Sequence, residues 1–169
     1  MNLVLVGYRG TGKSSIARRL ARMLGRPVVS LDSQIVQRTG KSIPDLVAER
    51  GWDHFRDLEE QICRQFGAQD GQILDCGGGV VERDANVAVL RDRGRVFWLK
   101  ATPASIVARI GRDSNRPSLT GGRSFTEEVS EVLHRRTPLY QAMAHEEIDT
   151  DGRSVANIAA EIARRWRAG

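Results

Sequence analysis

The sequence predicts an α/β sandwich, a parallel sheet covered by helices, and three observations carry that reading. Short apolar runs suited to buried strands recur at 3–6, 28–31, 73–76, 96–99 and, weakly, 147–149, and the segments between them carry helical periodicity. Strands that alternate with helices in this way form parallel sheets with right-handed crossovers. The 169 residues, 40% of them apolar, are enough for one well-packed core and too few for two ordinary ones. In such sheets ligands sit beyond the carboxyl ends of the strands, so the residues directly after each run carry the functional argument.

The first run leads into Gly7-Tyr8-Arg9-Gly10-Thr11-Gly12-Lys13-Ser14, the pattern G-x-x-x-x-G-K-[ST]. Its glycines allow backbone angles and close approach that a Cβ would block, so successive N–H groups can point at phosphate oxygens. The helix that follows, marked by Ile16, Ala17, Leu20 and Leu24, adds unsatisfied N–H groups and the positive end of its dipole. Lys13 is placed for the β- and γ-phosphates and Ser14 for Mg²⁺. Gly10, Thr11, Gly12, Lys13, Ser14 and Ser15 are therefore the candidate nucleotide contacts. Gly25 ends the helix and Pro27 begins the next segment.

Ser30-Leu31-Asp32-Ser33 closes the second run, where Asp32 reads both as an N-cap and as a carboxylate facing the phosphate loop. Ser42-Ile43-Pro44-Asp45 is a helix start with proline in the first turn. A helix from about Gly51 through Phe66 follows, with Arg56 and Glu59 three apart on one face. That pair is a surface ion pair or an anion-binding arginine oriented by a carboxylate. The third run ends in Asp75-Cys76-Gly77-Gly78-Gly79, and three consecutive glycines imply that something lies close to the backbone there. After the fourth run a helix over Pro103–Ile110 is followed by 111–122, rich in Gly, Ser, Arg and Asn and without periodicity; Arg112, Arg116 and Arg123 there suit a lid over phosphates. Ser124-Phe125-Thr126-Glu127 has capping-box spacing. Its helix turns Val129, Val132 and Leu133 inward and carries Arg136, and Pro138 is expected to interrupt it. A last amphipathic helix over about 154–166, with Val155, Ile158, Ile162 and Trp166 on one face, closes the sheet.

The 26 Lys and Arg exceed the 21 Asp and Glu, for a net charge of +5, yet the arginines are dispersed and aromatics are only 5%. Arginines gathered at a site for anionic substrates account for this better than a nucleic-acid surface does. No stretch approaches the ~18 apolar residues of a membrane span, and Met1-Asn2 runs straight into an apolar run without a charged leader, so no membrane partner and a cytoplasmic location are expected. Cys63 and Cys76 sit at neither metal-ligand nor C-x-x-C spacing, which suggests reduced thiols. Cys76, beside the glycine turn, is either a ligand-protected thiol or a small strand residue.

The phosphate loop, Asp32, Phe55-Arg56 with Glu59, Gly77-Gly78-Gly79, Arg116-Pro117 and Arg136-x-Pro138-Leu139-Tyr140 occur in that order. Together they resemble shikimate kinase over nearly the full length. The resemblance implies a three-layer α/β sandwich on a five-stranded parallel sheet of P-loop NTPase, nucleoside-monophosphate-kinase type. It implies one domain over 1–169, with substrate-binding helices at about 32–66 and a mobile lid at about 112–124. It also implies transfer of the ATP γ-phosphate to the 3-hydroxyl of shikimate, with Mg²⁺, by a monomer. By the same resemblance Asp32 contacts the reacting hydroxyl and accepts its proton, and Arg56 and Arg136 hold the substrate carboxylate. Glu59 steadies Arg56, Gly78 and Gly79 line the substrate ring, Arg116 descends on the transferring phosphate, Arg109 packs on adenine, and Arg153 lies at the other side of the base. Catalysis falls to Asp32, Lys13 and Arg116.

Two positions depart from the family pattern. Ser30 stands where the family often has an aspartate that reaches a Mg²⁺-bound water, and Asp75 stands where a small or hydroxyl residue is usual. Asp75, at the end of Ile73-Leu74-Asp75, is expected to supply through water the metal contact that Ser30 cannot. Alternatives are a related kinase acting on gluconate or a nucleoside monophosphate and a non-catalytic ATP-binding regulatory module, with a nucleic-acid role behind both.

Overall fold

The computed structural model describes residues 1–111 and 124–169. Five parallel strands, β1 (Asn2–Val6), β2 (Val28–Ser30), β3 (Ile73–Asp75), β4 (Gly94–Lys100) and β5 (Glu146–Asp149), pair in the order β2-β3-β1-β4-β5. The central β1 is apolar on both faces because helices cover both. Leu3 and Leu5, with Phe97 and Leu99 of β4, face α1 (Lys13–Leu24) and α7 (Val155–Ala168), where they meet Ile16, Leu20, Ile158 and Ile162. Val4 and Val6, with Val96 and Trp98, face the opposite layer, built from α2 (Leu31–Thr39), α3 (Ile43–Gly67), α4 (Asp84–Asp92) and α6 (Phe125–Met143). Alternate residues of one strand thus feed two separate cores, which is what makes three layers. A third, smaller cluster joins Tyr8 and Ile106 of α5 (Pro103–Ile110) to Val129 and Val132 of α6.

Helix starts follow the predicted chemistry, with one correction. Ser42, Thr102, Ser124 and Ser154 are N-caps, and the box between Ser124 and Glu127 is complete. For α2 the cap is Ser30, whose hydroxyl accepts from Ser33 N, whereas Asp32 lies inside the first turn. The strand ends at Ser30, one residue earlier than its apolar run, so the capping role falls to the hydroxyl and the carboxylate is left for the site. The two predicted helical stretches between 42 and 66 form one element broken at Gly51, where φ 83° and ψ 169° change its direction.

Pro138 does not interrupt α6, which runs on to Met143. Proline inside a helix costs about 3 kcal/mol because it offers no N–H to the carbonyl four residues back. Thr137 Oγ1 donates to Leu133 O at 2.7 Å, and buried Arg136, Tyr140 and Met143 anchor both sides of the proline against the sheet. Val155, expected on the inward face of α7, is exposed, and Ala159 and Ala163 fill that face instead. Among the described residues no helix is long and apolar enough to cross a membrane.

Candidate active site

The crossovers that leave β1 for β2 and β3 for β4 run to opposite sides, and the crevice this opens between β1 and β3 at the strand carboxyl ends is where an α/β sheet binds ligands. The loop 7–14 fills that crevice. A Cβ on Gly7 would lie 2.5 Å from the Leu99 carbonyl oxygen, and the glycine adopts φ 143°, so only glycine lets the loop turn this close to β4. The loop delivers Gly12 as the N-cap of α1 with no side-chain cap, whereas α2, α3, α5, α6 and α7 are all capped by Ser or Thr hydroxyls. The first-turn N–H groups of α1 are thereby left for an anion. Lys13 Nζ donates to the carbonyls of Gly7 and Tyr8 at 2.8 and 2.9 Å, curled over the loop.

A cleft of about 420 Å³ opens over this loop, lined by Gly10, Gly12, Lys13, Ser14 and Ser15 on one side and by Ser30, Asp32 and Asp75 on the other. Thr11 is buried behind it, its hydroxyl on Tyr8 O at 2.8 Å. At the cleft floor Ser14 Oγ donates to Asp75 Oδ2 at 2.6 Å. Asp75 sits in register between Leu5 of β1 and Ser30 of β2, so the acidic and the hydroxyl position face each other across two paired strands. Cys76 is buried against the cleft, and burial pushes its thiol well above the ordinary range.

A narrower chamber adjoins the cleft, lined by Ile43, Trp52, Phe55, Arg56, Glu59 and Arg136, together with Gly79. Arg9, Asp32, Gly77 and Gly78 belong to both spaces and form the wall between them. Arg56 and Glu59 are no surface pair: Nη1 donates to Oε2 at 2.7 Å, with side chains 11% and 1% exposed. Trp52 and Phe55 meet edge to face, and the Arg56 guanidinium lies over both rings at 5.4 and 5.3 Å. Arg136, brought in by α6, is buried and donates from Nε to Glu82 Oε1 at 2.8 Å. Two of the three glycines, Gly77 and Gly79, are explained by these side chains, while Gly78 has room for ordinary contact. A Cβ on Gly77 would come within 2.9 Å of Asp32 and Glu59, one on Gly78 within 3.4 Å of Arg136, and one on Gly79 within 2.1 Å of Arg56. Tyr140 Oη donates to Gly78 O at 2.5 Å and ties the turn to α6.

A loop built for phosphates thus shares a wall with a chamber that converges two guanidiniums. A family model described as "Shikimate kinase" matches residues 9–167. The chain belongs to the shikimate kinase family. A shikimate kinase of Syntrophus aciditrophicus is 39% identical over 177 residues, covering 98% of this chain and 91% of its own. One from Dehalococcoides mccartyi is 36% identical over 166 residues, with 98% and 93% covered. A solved shikimate kinase from Acinetobacter baumannii in complex with shikimate superposes with a TM-score of 0.94 at 30% identity, covering 99% of this chain and 93% of that one.

Within that family frame, the predicted residues divide by location. Gly10, Gly12, Lys13, Ser14, Ser15, Asp32 and Asp75 meet at the cleft, and Asp32, Arg56, Gly78, Gly79 and Arg136 meet at the chamber. Arg109 donates to Gly10 O and Thr150 O, bridging the loop to the segment after β5, and Arg153 engages Asp149 O and Glu161 of α7. Neither lines the cleft as described. Arg116, with Arg112 and Arg123, lies outside the described residues.

Sequence reasoning missed Arg9, Glu82 and Glu128. Arg9 pairs with Glu128 of α6 at 3.0 Å, with side chains 13% and 4% exposed, and stands over Phe125 at 5.7 Å. A cation at a variable place in the phosphate loop was the available signal for Arg9; no local pattern marks the two glutamates.

Proposed function

We propose that the protein transfers the γ-phosphate of ATP to the 3-hydroxyl of shikimate, giving shikimate 3-phosphate and ADP. The observation that carries this is the wall shared by the two spaces, because Asp32 reaches the phosphate cleft and the arginine chamber at once. Phosphoryl transfer is largely positioning and charge stabilisation. Lys13 and the loop amides hold the phosphates. Arg56 and Arg136 grip the acceptor carboxylate with planar forks and set its hydroxyl towards the cleft. Asp32 orients that hydroxyl and takes its proton as the oxygen–phosphorus bond forms. Arg116 is assigned to the transferring phosphate, and Arg109 and Arg153 to the adenine end, from their places in the family motif.

The donor set fits Mg²⁺. A hydroxyl and a carboxylate, Ser14 and Asp75, meet at 2.6 Å, and among the described residues no cluster of three or more acidic, His or Cys side chains could enclose a metal alone. Mg²⁺ keeps waters and shares phosphate oxygens, so two protein oxygens suit it. Ser14 would hold it directly and Asp75 through water, and the ion would offset phosphate charge. Replacing Asp75→Asn should weaken Mg²⁺ activation roughly 10-fold or more, read as half-saturating Mg²⁺ at fixed ATP; an unchanged curve would return the role to Ser30.

The same reading takes the enzyme to be a monomer. ATP use and two buried free thiols suit a cytoplasmic setting. The deciding experiment is ADP release with Mg-ATP against shikimate, quinate, gluconate and nucleoside monophosphates. Turnover with shikimate is expected, and turnover with another acceptor in its absence would overturn the proposal.

A further inference from the structure

Glu82 ends the short 3₁₀ turn Val80–Glu82 that follows the triple glycine. Its Oε1 accepts from Arg136 Nε and from Arg135 Nη2, each at 2.8 Å, and its Oε2 lies 3.6 Å from Arg56 Nε. It therefore meets both chamber arginines on their Nε edges. Glu82 does not line the chamber, while both arginines do. Two guanidiniums, one with its side chain 4% exposed and the other 11%, would repel and would lose hydration without a shared carboxylate. Among the described residues Glu82 is the carboxylate paired with Arg136.

We propose that Glu82 is a positioning residue for the acceptor: by holding the Nε edges of Arg136 and Arg56 from outside the chamber, it aims their Nη edges at the substrate carboxylate. This deepens the proposed function and rests on it for the identity of the acceptor. The rival is a competitor role, in which the Glu82 carboxylate draws the arginines away from the acid. Arg56 and Arg136 also face Glu59 and Tyr8, and burial of Glu82 is outweighed by Arg136, Arg56 and Arg135, which hold its carboxyl below the ordinary range. Glu82 is thus ionised at neutral pH.

The test is Glu82→Gln, which keeps the shape and removes the charge, with Glu82→Asp as the charge-keeping control and Arg135→Gln as the control that spares the chamber. In Glu82→Gln, the shikimate KM should rise roughly 10-fold while kcat and the ATP KM stay near wild type. Glu82→Asp should recover part of the rise, and Arg135→Gln should lie close to wild type, since Arg135 is exposed and off the chamber. A second readout needs no acceptor: arginine Nε–H signals in a ¹⁵N spectrum, assigned with Arg56→Lys and Arg136→Lys, should be protected in the wild type and broadened in Glu82→Gln. An unchanged or lowered shikimate KM overturns the proposal, as do Nε–H signals that persist unaltered. If the wild type turns over no shikimate, the proposed function falls, and the Nε–H readout still decides the positioning role.

Discussion

The phosphate cleft and the acceptor chamber meet at one wall but are built by opposite means. The phosphate-holding side of the cleft is one contiguous stretch, 7–15, and works with backbone N–H groups whose direction is fixed by glycine angles and an uncapped helix start. The chamber draws on α2, α3, the glycine turn and α6, and works with long cationic side chains. Its arginines are held by glutamates: Arg9 by Glu128, Arg56 by Glu59 and Glu82, and Arg136 by Glu82. Fixed dipoles need no counter-charge, whereas a buried guanidinium does. The pairing leaves the chamber close to charge balance, so its selectivity must come from where the forks point.

The strongest test is applied to the wall itself. Replacing Asp32→Asn should lower kcat roughly 10²–10⁴-fold, the range for a lost general base. ATP binding by calorimetry should stay near wild type, because the loop amides and Lys13 are untouched. Equal loss of both would mean that the two regions are not separately built. Next comes Arg136→Lys, which keeps the charge and discards the fork. If direction decides, the acceptor KM rises by about 1.5–3 kcal/mol, roughly 10- to 100-fold, with the ATP KM unchanged. If net charge decides, steady-state kinetics will show little change.

The same contrast explains what could be read from the chain alone. The phosphate loop was legible because its parts are neighbours in sequence and each has a spacing rule; the five strands and the helix starts at Ser42 and Ser124 were legible from similarly local patterns. Asp32, Arg56, Glu59 and Arg136 became legible as one site through the family likeness of an ordered set of motifs. Glu82 and Glu128 were not, since they act across 54 and 119 residues of chain. Pro138 misled because its local cost is real but smaller than the gain from burying Tyr140 and Met143 after it. The triple glycine implies something close to the backbone, and at Gly77 and Gly79 that something is the side chains of Asp32, Glu59 and Arg56.

That last point gives a gentler probe of direction. A methyl at Gly79 would fall 2.1 Å from Arg56 Nη2, the free end of a side chain and not backbone. Gly79→Ala should therefore fold with a melting temperature near wild type while turning the Arg56 fork aside. The expected acceptor KM penalty is about 1–2 kcal/mol, less than for Arg136→Lys because the guanidinium itself is kept and only displaced. A large loss of stability with normal KM would place the strain in the backbone and not in the fork.

The smallest effect tests the claim that the chamber stores buried charge. Burial raises the Glu59 carboxyl above its ordinary 4.5; the Arg56 charge opposes this and the Asp32 charge adds to it. A carboxyl raised by folding favours the protonated form, so its contribution to stability is complete below 4.5 and is lost as pH rises through the raised value. Glu59→Gln cannot ionise at that position. The melting temperature of the wild type minus that of Glu59→Gln should accordingly fall as pH is raised from 4 towards 8, by a few degrees at most for each kcal/mol involved. A difference that instead grows with pH would mean that attraction to Arg56 exceeds the cost of burial. The chamber would then hold its arginines as an exposed site does, and the contrast with the phosphate cleft would lose its electrostatic basis.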